Sequence, residues 1–118
     1  MALDLDTVRS TMPTTVPFVG TLGIEYLELS TDHAVCRLPD DVRFHNHIGG
    51  SHAGAMFTLA ETASGALVLS NYGGMLGEVT PLAVEATIRY LTVARGPATA
   101  TAHMASKADA VIATLKAG

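Results

Sequence analysis

The sequence predicts an α+β fold, because strand-like segments stand before and after one long apolar helix. Residues 24–29 and 34–38 flank the turn-forming run Ser-Thr-Asp, which predicts a hairpin. Residues Ala53 to Tyr72 are apolar at many positions over about five turns and are followed by two glycines, which predicts a helix and its end. Residues Leu82 to Tyr90 alternate between apolar and polar side chains, which predicts a third strand.

The remaining elements follow from shorter patterns. Residues 3–12 precede a proline-containing stretch and are expected to form a helical lid. Residues 98–105 are the expected antiparallel partner of the third strand. Ser106 has the side chain of a helix cap and predicts a last short helix. The second hairpin strand is expected to present one apolar face, which consists of Ala34, Cys36 and Leu38.

Composition and charge limit the domain organisation and exclude several functions. The chain has 118 residues, near the usual size of one domain, so a single domain is expected. A hydrophobic share of 48% and a charged share of 15% exclude a disordered chain and predict a large hidden apolar surface. A net charge of −4 with seven Lys and Arg residues offers no positive surface, so neither nucleic acid nor a membrane is an expected partner.

Cysteine usage and the N-terminus predict a cytoplasmic location. Cys36 is the only cysteine, so no intramolecular disulfide can form. The N-terminus is acidic where an export signal would be positive, and no long apolar run follows. The most membrane-like stretch, residues 53–71, holds Glu61 near its centre, and a carboxylate there would cost about 2.5–3.5 kcal/mol in a bilayer. A soluble helix is therefore preferred.

Polar residues are concentrated in the loop at 40–52 and in the helix that follows it. Loops of this length in compact domains are usually functional. Four residues of the helix share one face because they are spaced at i, i+3, i+4 and i+7, and they are Thr58, Glu61, Thr62 and Gly65. Glu61 is the only charged residue of the helix, which makes it a candidate catalytic carboxylate. A second interpretation is a solvent-exposed stripe in which Glu61 is only hydrated.

The segment from Asn46 to Glu61 resembles the signature of a known enzyme family. It reads Asn-His-Ile-Gly-Gly-Ser-His-Ala-Gly-Ala-Met-Phe-Thr-Leu-Ala-Glu. This run is similar to the Asn, His-Gly-Gly and Leu-Ala-Asp/Glu signature of hotdog-fold acyl-CoA thioesterases of the phenylacetate-pathway (PaaI) type. The His-Ala-Gly and Leu-Ala-Glu runs especially resemble the bacterial relatives of that type. The wider match extends from Pro17 to about Gly96.

The resemblance implies a single hotdog domain over residues 1–118, in which an antiparallel curved sheet wraps a long central helix. A hotdog sheet normally continues with two further long strands, so the last sheet strands are expected to be missing from this sequence. Family enzymes act between two subunits, and unpaired sheet edges favour association. We therefore expect a homodimer or a dimer of dimers.

The resemblance also implies hydrolysis of acyl-CoA thioesters to the free acid and CoA, with no cofactor because CoA is part of the substrate. Glu61 is expected to act as general base on water or as nucleophile. The N–H of Gly54, at the start of the helix, is expected to polarise the carbonyl. Asn46 is expected to orient the water or hold the thioester, and His52 to position the loop or assist the carbonyl contact.

Contacts to the substrate are expected from the same helix. Phe57, Thr58 and Thr62 are the expected binding residues on it. Arg89 and Arg95 are candidates for the CoA phosphates, because positive charge is scarce in this chain. The acyl group stays open between medium-chain and aromatic, since an apolar pocket distinguishes a methylene by only about 1–3 kcal/mol.

Each candidate site residue also has a structural interpretation. Gly54 is also explained as a helix-start residue, His52 as a partner of a loop backbone group, and Asn46 as a turn former. For Cys36, on the apolar face of a strand, a buried structural thiol is favoured over a nucleophile. The three loop histidines suggest a zinc site, but no Cys or well-spaced acidic ligand joins them, so no metal is expected.

Two other functions remain open. One is a non-catalytic hotdog domain that binds acyl-CoA as a sensor or scaffold. The other is an enoyl-thioester hydratase, because the spacing of Asp40 and His45 resembles that of the Asp and His in hotdog hydratases. Val42 and Arg43 stand where the hydratase pattern has Asn and Pro, which disfavours this alternative.

Overall fold

The structure is a computed structural model that describes residues 4–105. Its elements are α1 (Leu5–Thr15), α2 (Pro17–Leu22), β1 (Glu25–Leu29), β2 (His33–Leu38), α3 (Ala53–Tyr72) and β3 (Ala98–His103). Short 3-10 turns precede and follow α3, at Val42–Phe44 and Gly73–Met75. The predicted N-terminal helix, hairpin and central helix are confirmed. The predicted last helix from Ser106 lies outside the described residues.

The three strands form one antiparallel sheet in the order β1-β2-β3. In the centre of the sheet, Cys36 pairs with Tyr26 on one side and with Ala100 on the other. A bulge between Tyr26 and Glu28 shifts the register of β1, which increases the local twist. The predicted apolar face of β2 is confirmed, since Ala34, Cys36 and Leu38 are each no more than 1% exposed.

Helix α3 packs against the inner face of this sheet through small and aliphatic side chains. Its core residues are Ala55, Leu59, Ala63, Ala66 and Leu67, and the β3 residues packed against the core are Ala98, Ala100 and Ala102. Small side chains on both surfaces let the helix lie close to the sheet. By length and composition alone, the helical stretch Ala53–Met75 would suffice to cross a membrane, and the core helix of a globular protein has the same properties.

The N-terminal helices are fixed to the first strand. The carboxylate of Asp4 caps α1 by accepting a hydrogen bond from the N–H of Thr7 at 2.8 Å. Val8 of α1 is completely buried, and Nε of Arg9 donates a 2.7 Å hydrogen bond to the carbonyl of Tyr26. These contacts hold α1 against β1.

The segment between α3 and β3 differs from the sequence prediction. Residues 82–90 pair with no strand in the described part of the chain, and β3 pairs with β2 instead. The prediction of a strand at 82–90 is therefore wrong for the single chain. Leu82 is 80% exposed and Val84 is 97% exposed. Alternation gives an extended segment two unlike faces, but a strand also needs a partner, and it is β3 that lies beside β2.

The packing of α3 can be tested with one buried and one exposed leucine. Leu59 is 2% exposed, so we expect Leu59→Ala to lower the free energy of unfolding by about 2–5 kcal/mol through the cavity it leaves. Leu76 is 43% exposed, and Leu76→Ala should cost less than about 1 kcal/mol. Urea denaturation followed by circular dichroism measures both losses. Equal losses would contradict the assignment of Leu59 to the core.

Candidate active site

The loop before α3 is organised around the side chain of Asn46. Its Oδ1 accepts hydrogen bonds from the N–H of Ile48 at 3.0 Å and of Gly50 at 2.9 Å. The backbone N–H of Asn46 donates a hydrogen bond to the carbonyl of Gly50 at 2.7 Å. Gly49 has a φ of 78°, in the left-handed region that favours glycine. Asn46 therefore closes a tight turn, as the structural interpretation of this residue predicts, and its catalytic role stays a prediction.

The extended segment before β3 holds this loop from outside. Three hydrogen bonds join them: Ser51 N–H to Ala94 O at 2.8 Å, Arg95 Nη1 to Ile48 O at 3.1 Å, and the Tyr90 hydroxyl to Ala53 O at 3.0 Å. A Cβ on Gly50 would lie only 2.8 Å from Cγ1 of Val93, so this position requires glycine. The guanidinium of Arg95, a candidate for the CoA phosphates, therefore also supports the loop.

His52 is the N-cap of α3. Its Nδ1 accepts a hydrogen bond from the N–H of Gly54 at 2.8 Å. An accepting Nδ1 carries no proton, so a neutral ring holds its proton on Nε2. The N–H of Gly54, which is predicted to polarise the substrate carbonyl, is thus already hydrogen-bonded within the chain. It has to release Nδ1 of His52 before it can donate to a substrate. This contact is the one that the structural interpretation of His52 predicts.

Glu61 lies about two turns further along the helix, at an exposed position. The seven-residue interval separates it from Gly54 by about 10 Å along the helix axis. A catalytic base and an oxyanion donor must both lie within about 3 Å of the reacting group. Along the axis of a single copy of α3, the backbone positions of Glu61 and Gly54 are therefore further apart than such a site requires.

Glu61 lines a cavity of about 430 Å³, which we call the Glu61 cavity. The cavity lies between α3, the N-terminal helices, β1 and residues 81–83. Its walls are mainly aliphatic and include Met12, Val19 and Leu69. Its polar side chains include Thr62 and Tyr26. Sequence reasoning missed Tyr26, although a tyrosine on the inward face of an amphipathic strand is a recognisable signal.

Burial determines the chemistry of Tyr26 and Cys36. Burial raises the pKa of Tyr26 to about 12, with smaller contributions from the negative forms of Cys36 and Glu61. The phenol of Tyr26 therefore stays protonated at neutral pH and can donate a hydrogen bond. Burial likewise raises the pKa of the Cys36 thiol to about 11. Cys36 is fully buried and protonated at neutral pH, as expected for a structural thiol.

The other predicted substrate contacts are dispersed. Thr62 is buried in the Glu61 cavity, whereas Thr58 donates its hydroxyl to the carbonyl of Gly54 at 2.9 Å. Phe57 is 36% exposed, and Arg89 is exposed on the extended segment. In the described part of the chain, the residues that line the Glu61 cavity do not include Phe57, Thr58 or Arg89.

Asn46 lines a different cavity, of about 380 Å³, together with Met56, Tyr90 and Leu91. The structure thus brings Asn46, His52 and Gly54 together at the start of α3 and leaves Glu61 in the other cavity. The predicted catalytic residues therefore form two groups in one chain, the residues at the start of α3 and Glu61.

The Asp40 and His45 pair of the hydratase alternative forms a hydrogen bond of 2.7 Å between Oδ1 and Nε2. Both side chains are partly exposed, and neither lines the two cavities that residues 4–105 form around Glu61 and Asn46. In the same range, no three His, Cys, Asp or Glu side chains are arranged to hold a metal ion.

Comparison with known proteins places the chain in a family. The family model described as a domain of unknown function, DUF4442, matches residues 6–116. The chain belongs to this family. No curated protein matches the chain.

Solved structures share the fold of this DUF4442 member. A protein of unknown function and probable thioesterase from Pseudomonas aeruginosa is 28% identical, with a TM-score of 0.82 over 99% of this chain and 76% of that chain. Thioesterase superfamily member 2 of the zebra fish is 25% identical, with a TM-score of 0.72 over 89% and 78% of the two chains. The PaaI protein of the E. coli phenylacetic acid degradation operon is 24% identical, with a TM-score of 0.62 over 78% and 67%. These matches confirm the predicted α+β hotdog fold, a long central helix packed against an antiparallel sheet.

The role of Asn46 in the loop can be tested by substitution. Asn46→Ala leaves the N–H groups of Ile48 and Gly50 without their acceptor, so we expect the free energy of unfolding to fall by about 1–3 kcal/mol. Asn46→Asp keeps an acceptor oxygen and is the matched control, with an expected loss of less than half of that. Urea denaturation compares the two variants. Wild-type stability in Asn46→Ala would show that the loop does not depend on this side chain.

Proposed function

We propose that this protein hydrolyses acyl-CoA thioesters to the free acid and CoA, in the manner of PaaI-type hotdog enzymes. The observation that carries the proposal is the position of Glu61, the only charged residue of α3, in an apolar cavity of about 430 Å³. Small-molecule sites have mostly apolar walls, few polar groups and volumes of about 300–1,000 Å³. The 28% identity with a probable thioesterase supports this class of reaction.

In the proposed reaction, Glu61 takes a proton from water as the water oxygen attacks the thioester carbonyl carbon. The carbonyl oxygen becomes an oxyanion, and the N–H of Gly54 donates to it in place of Nδ1 of His52. The carbon–sulfur bond then breaks, and CoA leaves as the thiol after protonation. A direct attack by the Glu61 carboxylate is the other route, which passes through an anhydride that water hydrolyses.

We further propose that two subunits form each site in a homodimer or a dimer of dimers. Glu61 of one subunit then faces the loop at 46–54 of its partner. The carboxylate and the Gly54 N–H of one site then come from two different helices, so the rise of about 10 Å between them along a single helix no longer keeps them apart. The extended segment supports this arrangement, because Val84 is 97% exposed and Leu91 is 78% exposed. Contiguous exposed apolar side chains are typical of subunit interfaces.

The role of Glu61 can be tested by substitution and CoA release. Glu61→Gln removes the base, so we expect the turnover of octanoyl-CoA or phenylacetyl-CoA to fall by about 100-fold or more. Glu78→Gln, at an exposed position after α3, is the matched control, and Cys36→Ala should also keep turnover. A thiol reagent measures the released CoA. Full activity in Glu61→Gln would refute the mechanism, and binding without release would favour the non-catalytic acyl-CoA-binding domain.

The sharing of the site between subunits can be tested by mixing two inactive variants. Gly54→Pro removes the oxyanion N–H but no bond internal to the helix, because first-turn N–H groups lack helical partners. We expect Gly54→Pro and Glu61→Gln each to be inactive. Random mixing by co-expression should restore about a quarter of wild-type turnover, since half of the dimers are mixed and each has one intact site.

Circular dichroism of Gly54→Pro serves as the control for folding in this experiment. A mixture as inactive as its two components would place Glu61 and Gly54 in separate sites or within one subunit.

A further inference from the structure

One hydroxyl group in the Glu61 cavity has no task in the proposed hydrolysis. In the described part of the chain, the polar side chains that line this cavity are Tyr26, Glu61, Thr62 and Ser64. The hydroxyl of Thr62 is fully enclosed, and the hydroxyl of Ser64 donates to the carbonyl of Glu61 at 3.0 Å. Neither is available to a molecule in the cavity, which leaves the phenol of Tyr26 beside the carboxylate.

The position of Tyr26 in the sheet directs its side chain toward α3. Tyr26 lies opposite Cys36 in the antiparallel pair of β1 and β2, so both side chains are on the inner face. Among residues 4–105, the buried side-chain hydroxyls without a hydrogen-bond partner are those of Thr62 and Tyr72. The Tyr26 hydroxyl is not one of them and forms no hydrogen bond with these residues, so it keeps accessible surface although the ring is buried.

The phenol of Tyr26 and the carboxylate of Glu61 lie close enough to affect each other. Burial is the largest cause of the raised pKa of Tyr26, and the negative charge of Glu61 adds to it. Gly65, four residues after Glu61 on the same side of α3, also lines the cavity and has no side chain that would fill it. A molecule in the cavity beside Glu61 is therefore within reach of the Tyr26 hydroxyl.

The proposed hydrolysis has room for a donor of this kind. A carbonyl oxygen has two lone pairs, and enzymes stabilise the oxyanion with donors that point to it before the reaction. The N–H of Gly54 is a single donor. The raised pKa keeps the phenol of Tyr26 protonated at neutral pH, so the phenol donates a hydrogen bond without giving up its proton.

We propose that Tyr26 is a further catalytic residue of this protein, whose hydroxyl donates a second hydrogen bond to the thioester carbonyl oxygen. The inference rests on the proposed function, because that function places the carbonyl group beside Glu61. As water attacks, the electron pair of the carbonyl double bond moves to the oxygen, and the hydrogen bond from Tyr26 strengthens with the developing charge. The proton stays on the phenol. Each site then combines Glu61 and Tyr26 of one subunit with Gly54 of its partner.

The contact can be tested without turnover by infrared spectroscopy of a bound thioester. Octanoyl-CoA that is isotope-labelled at its carbonyl carbon is added to the Glu61→Gln protein, and the carbonyl band is recorded as a difference spectrum. A hydrogen bond to the oxygen weakens the carbonyl bond, so we expect the band at a lower frequency than in the free thioester. Tyr26→Phe in the same protein should shift the band back toward the free value. Tyr72→Phe is the matched control and should not shift it, because Tyr72 is also buried but does not line the Glu61 cavity in the described part of the chain.

Turnover and thermal stability give two further measurements. Removal of one oxyanion donor lowers kcat by about 100-fold or more, so we expect this loss for Tyr26→Phe with octanoyl-CoA, with little change in KM. Tyr72→Phe should keep its kcat. The Tm of Tyr26→Phe should equal that of the wild type, and a clearly lower Tm would show that the hydroxyl is already bonded within the protein, which would overturn the inference.

A carbonyl band that is the same with and without the Tyr26 hydroxyl would overturn the inference, as would the absence of binding. Wild-type release of CoA together with an unchanged band and an unchanged kcat in Tyr26→Phe would refute the inference alone. A Tyr26-dependent band in a protein that releases no CoA would support the contact with the carbonyl oxygen and refute the proposed hydrolysis.

Discussion

The contact between α3 and the inner face of the sheet determines where every candidate functional group lies. Leu59 and Ala63 of the helix belong to the same buried cluster as Cys36 of the sheet, and Ala100 of β3 packs against this cluster. Because many of these side chains are small, the helix lies close to the sheet, and changes of volume at this contact are poorly tolerated. Because the helix is held along its length, its start is fixed as well. The loop before α3 and the Glu61 carboxylate, about two turns into the helix, therefore have defined positions.

The same contact divides the helix into a buried and an accessible side. Glu61 remains exposed, and a Cβ on Gly65 would meet no atom within 4 Å, so the side of α3 away from the sheet is open. The N-terminal helices and residues 81–83 close only part of this side and form the Glu61 cavity. The two groups of candidate residues are separated because Asn46, His52 and Gly54 lie in the loop and at the start of α3, whereas Glu61 lies about two turns later. The proposed sharing of one site between two subunits accounts for this spacing and for the exposed apolar side chains of residues 82–93.

Much of the fold and part of the site were predictable from short-range patterns. The bounds of α3, the hairpin and the apolar face of β2 follow from periodicity and from turn residues, which act over a few positions. The strand at 82–90 was not predictable in this way, because pairing depends on which sheet edge is free. The prediction that Glu61 and Thr62 share one helix face did not distinguish their environments, since Thr62 is 6% exposed whereas Glu61 is exposed. Adjacent residues point about 100° apart on a helix, and the sheet decides where the buried side ends.

The class of fold and the central helix with its single carboxylate are predictable from the chain alone, because both depend on interactions between near neighbours, and the turn at Asn46 was one of two interpretations of that residue. The pairing of β3 with β2, the cavity that Tyr26 and Thr62 share with Glu61, and the separate cavity of Asn46 become visible only in the folded chain. Tyr26 and Glu61 are far apart along the chain, and the structure brings them to one cavity through the packing of β1 and α3. Such contacts arise from the burial of apolar surface over the whole domain, which no local pattern specifies.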